Sequence, residues 1–428
     1  MRILHIVTAF PRSPTDIISP WLVELLKRLQ AAGHDVEVFA PAYRGGGNRE
    51  LSGIPVHRFR YFPAAWEDLT HDQATPDRLR RSLRFRVVMP PFYLLGGVWA
   101  AWRLCRRRSY DIIHVHWPLP HALFGWVAKR ACGAPMVTQW YGVELRWVKS
   151  SLRWLKRFLI WALRASDQVV AISSATAREI AALAPVPVRV IPYAVGFSDA
   201  AAVPSTAPSS PPRRQPNDRF VILFVGSLVE RKGVRYLIDA LQMLPPHLPT
   251  RLAIIGDGPE RPRLAEQVRR QGLEHRVTLP GRVSEQELRR AYASAHVLVL
   301  PAIVDARGDT EGLGVVLLEA MTYGVPVIGS NLGGITDIII DGETGLLVPP
   351  EDPRALAAAL ERLAADPDLA VRLSQGGSRH VLDHFSWPAV TAQWLDCYAS
   401  AHGAADTVAR VRPDKSSSIS GFDPGTGA

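Results

Sequence analysis

A chain of 428 residues is longer than one hydrophobic core comfortably serves, so two domains are expected. Its 47% hydrophobic and 21% charged residues exclude wholesale disorder. The three widely spaced cysteines, Cys105, Cys132 and Cys397, show neither a disulfide framework nor a metal-ligand spacing, which suits a reducing cytoplasm. The net charge of +10 is uneven: residues 1–195 carry 27 Lys and Arg against 13 Asp and Glu, and residues 196–428 carry 23 against 27, so the first half suits a polyanionic partner.

In chain order, Ile3–Thr8 reads as a buried parallel strand and not a leader, because its apolar run is short, holds His5 and ends at Pro11. Trp21–Ala32 has Leu22, Leu25, Leu26 and Leu29 on one helical face and is closed by Gly33. Strands follow at Val36–Ala40, Ile112–His116, Met136–Thr138, Gln168–Ile172 and Val188–Ile191, separated by helical stretches. The apolar run Val87–Trp102 is interrupted by Pro90-Pro91 and Gly96-Gly97, and a span needs ~20 unbroken apolar residues, so it is not read as one.

Residues 200–218, rich in Pro, Ser and Ala, read as a linker. The same alternation then restarts with Phe220–Val225, Arg251–Ile255, Arg276–Thr278, Val297–Leu300, Val325–Ile328 and Gly345–Val348. The expectation is α/β: two doubly wound, Rossmann-like domains, 1–199 and 219–385, facing each other across a cleft. Residues 386–402 are expected to form a helix packing back on the first domain, with a disordered tail over 403–428.

The richest stretch is Asp309-Thr310-Glu311-Gly312-Leu313-Gly314 leading into an apolar helix that carries Glu319. Gly312 and Gly314 let backbone approach a ligand at a helix N-terminus, where unpaired N–H groups suit a diphosphate. Eight helical positions span ~12 Å, so Glu311 and Glu319 bracket such a group, one for sugar hydroxyls and one for a ribose. Alone, the two glutamates also suit a helix-terminal charge and a surface residue. Gly226-Ser227-Leu228 follows a strand and leads to Arg231-Lys232, cations able to neutralise a leaving diphosphate. Gly256-Asp257-Gly258-Pro259 is a further strand–turn–helix junction.

Taken in order, Gly-Ser-Leu-x-x-x-Lys-Gly, Gly-Asp-Gly-Pro, Glu-Gly-x-x-x-x-x-x-Glu-Ala-Met and Gly-x-Pro-Val resemble the C-terminal lobe of family 4 glycosyltransferases. Asp111-Ile112-Ile113-His114-Val115-His116 and Ile191-Pro192-Tyr193-Ala194-Val195 resemble that family's first lobe. The resemblance implies the GT-B architecture and a retaining transfer of a hexose from a UDP- or GDP-linked sugar, with no metal required. It implies catalytic positions at Lys232, Arg231, Glu311 and His116, and donor contacts at Gly226, Ser227, Gly256, Gly258, Arg282, Val283, Gly312, Leu313, Gly314 and Glu319. His114 is expected to be a packed core histidine. This chain departs from the pattern at Ser227, where an Arg is usual, and at Tyr141, where a His is usual. It departs again in the loop Thr15–Pro20, which lacks glycine. Ser19, Tyr141 and Glu144 are the acceptor-side candidates.

Lys149 to Ser166 contains no acid. Drawn as one helix, it places Lys149, Arg153, Lys156, Arg157 and Arg164 within an arc of ~100° beside Trp154 and Trp161, a pattern suited to anionic headgroups. A second basic cluster, Arg78, Arg80, Arg81, Arg84 and Arg86, precedes the apolar run. The expected partners are therefore a nucleotide-sugar donor, a glycan or lipid-linked acceptor and an anionic membrane surface met by the basic first domain. That places the protein in the cytoplasm, peripheral on the inner face of the membrane, in cell-surface polysaccharide or glycolipid synthesis. Nucleic acid is not expected, because no recognition motif accompanies the charge. The alternatives are a non-catalytic scaffold on the same frame and a nucleotide-sugar epimerase.

Overall fold

Strands buried end to end, such as β5 (Ile112–His116) and β12 (Val297–Leu300), require helices on both faces of their sheets, and that requirement sets the architecture. The computed structural model describes residues 1–13, 16, 18–46, 49–70, 82–83, 87–150, 153–195 and 219–411. The expected linker 200–218, Arg78, Arg80, Arg81, Arg84, Arg86, Thr15 and Ile17 lie outside the described residues.

Among those residues, eight strands form the first sheet, in the order β3-β4-β2-β1-β5-β6-β7-β8. They are β1 (Arg2–Ile6), β2 (Asp35–Pro41), β3 (Glu50–Leu51), β4 (Ile54–Phe59), β5, β6 (Met136–Trp140), β7 (Gln168–Ala171) and β8 (Arg189–Val190). All pairings are parallel except β3 with β4, a short hairpin the sequence pattern does not reveal. Its turn, Ser52-Gly53, has both residues at positive φ. Helices α1 (Pro20–Ala31), α2 (Met89–Arg107), α3 (Pro118–Cys132), α4 (Val143–Ser150), α5 (Lys156–Ala165) and α6 (Ser174–Leu183) accompany this sheet. In α2 the interruptions expected of Val87–Trp102 are points of use. Pro90 and Pro91 stand in the first turn, and a Cβ on Gly97 would lie 2.3 Å from the Phe124 ring of α3. Among the described residues no helix is long and apolar enough to cross a membrane.

Lys149–Ser166 is not one helix. It divides into α4, a 3₁₀ turn at Arg153–Leu155 and α5, so the single basic arc drawn through it does not hold. Arg153, Trp154, Lys156, Arg157 and Arg164 are nonetheless all exposed.

The second sheet is fully parallel in the order β11-β10-β9-β12-β13-β14. It comprises β9 (Phe220–Val225), β10 (Thr250–Ile255), β11 (Val277–Gly281), β12, β13 (Val327–Ser330) and β14 (Leu346–Val348). Its helices are α7 (Val234–Met243), α8 (Arg261–Arg270), α9 (Glu285–Ser294), α10 (Val315–Thr322), α11 (Ile335–Ile338), α12 (Pro353–Ala365) and α13 (Pro367–His380). The chain then returns as α14 (Trp387–Val411), whose Trp394, Cys397 and Tyr398 are buried in one cluster with Ile3, Leu22 and Leu25 of the first lobe. The expected tail is corrected here: residues 403–411 continue this helix, and residues 412–428 lie outside the described residues. Where the return begins, Val195 N–H donates to Phe385 O at 2.8 Å and Val195 bridges Ser386 in parallel.

Candidate active site

The first turns after the strands of the second sheet are locked together. Gly226 N–H donates to Ile255 O at 3.0 Å, Gly256 N–H to Gly281 O at 2.9 Å, and Leu228 N–H to Asp257 O at 2.9 Å. A Cβ on Gly256 would stand 1.9 Å from Gly226 O, and one on Gly258 2.3 Å from Leu228 O. Glycine is thus required at these two positions by backbone contact within the protein, whatever a ligand adds. Ser227 and Arg282 project to solvent at the rim, Val283 is half-buried, and Gly281 closes β11 with φ +82°.

After Ser227 the chain makes a 3₁₀ turn, Glu230–Lys232, ended by Gly233 at φ +64°. A Cβ on Gly233 would lie 1.8 Å from Pro301 O, so glycine lets the turn sit directly on the end of β12. That docking carries Lys232 to Glu311: Nζ stands 2.5 Å from Oε2, and Arg231 Nη1 is 3.3 Å from the same oxygen. Burial pushes the Glu311 carboxyl upward, but Lys232 and Arg231 outweigh it and hold the group below the usual carboxylate range. Arg231 thus brings a guanidinium to this carboxylate although Ser227 supplies none.

Leu313, buried, and Gly314, at φ +95°, lead into α10, and no side chain caps the helix, so its first N–H groups face the same region. Gly312 has open space around it: a Cβ there would meet only Ile172 Cδ1 of the first lobe, at 3.6 Å. Glu319 lies further along α10, and its Oε2 accepts a 2.5 Å hydrogen bond from Tyr292 of α9. Burial raises its pKa against that bond. Tyr292 has no signal in the sequence, because its partner is 27 residues away on another helix.

The opposing wall is the C-terminal edge of the first sheet. His116 ends β5 and is fully buried, with Nε2 3.1 Å from His5 Nδ1 and Nδ1 2.8 Å from the Tyr141 hydroxyl. Tyr141 in turn donates to Gln139 Oε1 at 2.8 Å, which makes the His116 Nδ1–H the donor to Tyr141. His114 is fully buried against Tyr398 and Trp394. Burial holds His5, His114 and His116 below the ordinary imidazole range, so all three are neutral at pH 7. Their ring nitrogens lie within 4.8 Å of one another, and among the described residues they are the group placed to ligate a metal ion.

Above His116, Trp21, Trp117, Tyr141 and Tyr193 form an aromatic layer, with Trp117 stacked on Tyr141 at 4.4 Å and Trp21 edge-on to Tyr193 at 4.9 Å. Glu144, at the start of α4, is buried with Oε2 accepting from Tyr141 N–H at 3.3 Å, and burial pushes its carboxyl up to about 7. Ser19, at φ 50°, precedes α1 without capping it by its side chain.

Two polar contacts without a sequence signature join the walls. Arg146 Nε of α4 is 2.9 Å from Asp309 Oδ1, and Asp309 Oδ2 is 3.6 Å from Arg231 Nε. Ser174 N–H, at the start of α6, donates to Asp337 Oδ2 of α11 at 2.5 Å, and its hydroxyl donates to Oδ1. Alternating charges therefore run from Arg146 through Asp309, Arg231 and Glu311 to Lys232.

Two facing α/β lobes, with paired cations and a carboxylate at an uncapped helix start in the cleft, define a GT-B glycosyltransferase. Residues 18–194 match the model of the glycosyl transferase 4-like domain, and residues 208–380 that of glycosyl transferases group 1. The chain is 33% identical over 364 residues to a GDP-mannose-dependent alpha-(1-6)-phosphatidylinositol monomannoside mannosyltransferase of Mycolicibacterium smegmatis, a match covering 81% of this chain and 93% of that one. The fold is similar to sucrose-phosphate synthase from Thermosynechococcus elongatus, with TM-score 0.68 and 23% identity over 94% of this chain and 99% of the other. It is also similar to HepE of Anabaena, solved in complex with UDP, with TM-score 0.66 and 19% identity over 94% and 100%. The chain belongs to the family 4 glycosyltransferases, and it is an enzyme of that class.

Proposed function

We propose that this glycosyltransferase moves a hexose from a UDP- or GDP-linked sugar to a glycan or lipid-linked acceptor, with retention and without a metal ion. The observation that carries the reading is the cluster of Arg231, Lys232 and Glu311 in front of the uncapped start of α10. Two cations and a helix N-terminus supply the positive field that a departing diphosphate needs. Glu311 neutralises them at rest and is placed to accept hydrogen bonds from sugar hydroxyls once the diphosphate takes over the cations. Glu319, held by Tyr292, is offered to the ribose, and the backbone at Gly281-Arg282-Val283 to the base. Gly226, Ser227, Gly256 and Gly258 shape the rim beneath.

In the step proposed, the bond from the anomeric carbon to the diphosphate oxygen breaks, and the acceptor oxygen bonds to that carbon on the same face. The acceptor's proton passes to the departing diphosphate oxygen, so no protein base is consumed. His116 is neutral and tied to Tyr141, which suits positioning of the wall under the reacting sugar. Ser19, Tyr141 and Glu144 lie on the acceptor side, where the aromatic layer offers flat faces to an acceptor sugar.

The relative's use of GDP-mannose and a phosphatidylinositol-linked acceptor supports a GDP donor and a lipid-linked acceptor here. With the basic first domain, it supports work at the inner face of the membrane in glycolipid or cell-surface polysaccharide synthesis. The deciding experiment is thermal-shift binding of UDP-, GDP- and ADP-sugars in a chelator, for wild type and Glu319→Ala. A ligand bound only by the folded state must raise its stability. One nucleotide should stabilise the wild type and do so less in the variant; no shift with any donor, or a shift only with added metal, overturns the reading.

A further inference from the structure

Helix α2 has two apolar sides and only one is used. Met89, Tyr93, Gly97, Ala101 and Cys105, at fourfold spacing, are buried. On the opposite side Val88, just before the helix, and Phe92, Leu95, Trp99 and Trp102 fall within an arc of about 80° at 100° per residue. Phe92 is 50% exposed, Leu95 68%, Trp99 58% and Trp102 49%. Nineteen residues span about 28 Å, so this is an apolar stripe along a whole helix, too long to be scattered surface residues.

Cations flank it. The Arg103 guanidinium lies 5.1 Å from the Trp99 ring centre, and that of Arg106 lies 6.0 Å from Trp102. Residues 78–110 contain nine arginines and no acid. The aromatic surface widens at the N-terminal end of the helix, and a second aromatic pair lies on neighbouring helices. Phe62 packs edge-on to Phe92 at 5.2 Å with Trp66 beyond it, and on the neighbouring helices Trp126 meets Trp161 at 6.0 Å under Arg130.

We propose that α2 is the membrane-seating element, lying in the plane of an anionic bilayer with Phe92, Leu95, Trp99 and Trp102 among the headgroups and upper acyl chains. Arg103, Arg106 and Arg107 then meet lipid phosphates. The inference rests on the peripheral-membrane reading above and assigns its surface. Charge decides the occupant: a second copy would bring the same acid-free stretch and nothing to neutralise the arginines, whereas an anionic bilayer neutralises them and accepts interfacial Trp. The helix lies on the membrane and does not enter as a span.

The test is cosedimentation with phosphatidylcholine vesicles, with and without phosphatidylglycerol, for wild type, for Trp99→Ser with Trp102→Ser, and for Lys156→Ala with Arg157→Ala. Wild type should bind only the anionic vesicles, and the tryptophan double variant should bind about tenfold more weakly or worse. Retained donor-induced thermal shifts in every variant show that the fold and the donor site are untouched. If the tryptophan variant binds like wild type while the lysine–arginine variant does not, α2 is overturned and the membrane reading survives on another surface. No binding by wild type overturns both, with the donor site judged separately by its own shift. A dimer that the tryptophan variant dissolves overturns the proposal in favour of a second copy. A spin label at Leu95→Cys gives a readout independent of affinity: protection from aqueous relaxants with anionic vesicles supports the seating, and continued aqueous exposure overturns it.

Discussion

Arg146 and Asp309 meet across the cleft, Nε 2.9 Å from Oδ1, and Asp309 also lies beside Arg231, the guanidinium nearest the proposed diphosphate position. Burial pushes the Asp309 carboxyl up, while Arg146 and Arg231 favour its charge. Removing either partner should let the lobes separate and free Arg231 to shift. Arg146→Ala and Asp309→Asn are each expected to lower kcat/KM about tenfold, ~1.4 kcal/mol. The double variant should be little worse than the worse single one. Steady-state kinetics over this mutant cycle checks it, and simple additivity would show that the two residues act apart.

Lys232 serves the fold as well as the proposed chemistry, because without it Glu311 is a buried charge left with Arg231 as its cation, at 3.3 Å. Lys232→Met should lose several kcal/mol of stability, on the order of 3. Adding Glu311→Met should recover most of it, seen in thermal melts. Turnover should not return: both variants are expected to be ~10²–10³-fold slower than wild type. A double variant that regains its rate along with its stability removes Lys232 from catalysis.

Glu144 supplies a pH dependence. Its carboxyl titrates at about 7 in the folded chain against 4.5 in the reference state, so the folded protein holds this proton more tightly. The stability so gained is fully present below pH 4.5 and is lost as pH rises through 7. Glu144→Gln keeps the shape without the charge. Its melting temperature should match wild type near pH 4.5 and exceed it at about pH 8, by up to ~3 kcal/mol in stability. Parallel melting curves across that range would mean the carboxyl is not buried as described.

Two glycines in the cleft should answer oppositely to alanine. Gly256→Ala places a methyl 1.9 Å from Gly226 O at φ +138°, so it should cost more than about 2 kcal/mol and blunt donor binding. Gly312→Ala meets only Ile172 Cδ1 at 3.6 Å, so its melt should stay within about 1 kcal/mol of wild type. Loss of the fold in the second variant would place that backbone elsewhere.

In the second lobe β9 and β12 were legible because they are continuous apolar runs, closed by Gly226 and by Pro301, and both fall where the pattern puts them. The hairpin β3–β4 went unread because β3 is only two residues long, whereas the reading of Val87–Trp102 as no membrane span stands, its two prolines falling in the first turn of α2. In the candidate site, Glu311, Glu319 and Lys232 announced themselves by spacing within one sequence stretch each. Tyr292, Arg146, Asp309 and Asp337 did not, since each matters through a side chain on a distant segment that only the tertiary fold brings near.

Val195 and the pair Phe385–Ser386 mark the two places where the chain leaves one lobe for the other, and they lie hydrogen-bonded side by side. Adjacent crossings act like the spine of a book: the covers can swing about one line but cannot twist or slide past each other. Opening would then part Arg146 from Asp309 and Ser174 from Asp337 while Val195 keeps its partner. A disulfide made by Val195→Cys with Ser386→Cys should therefore leave turnover near wild type, whereas one joining the Ser174 and Asp337 positions should stop it until reduced. Equal inhibition by both staples would mean that the lobes travel along some other axis.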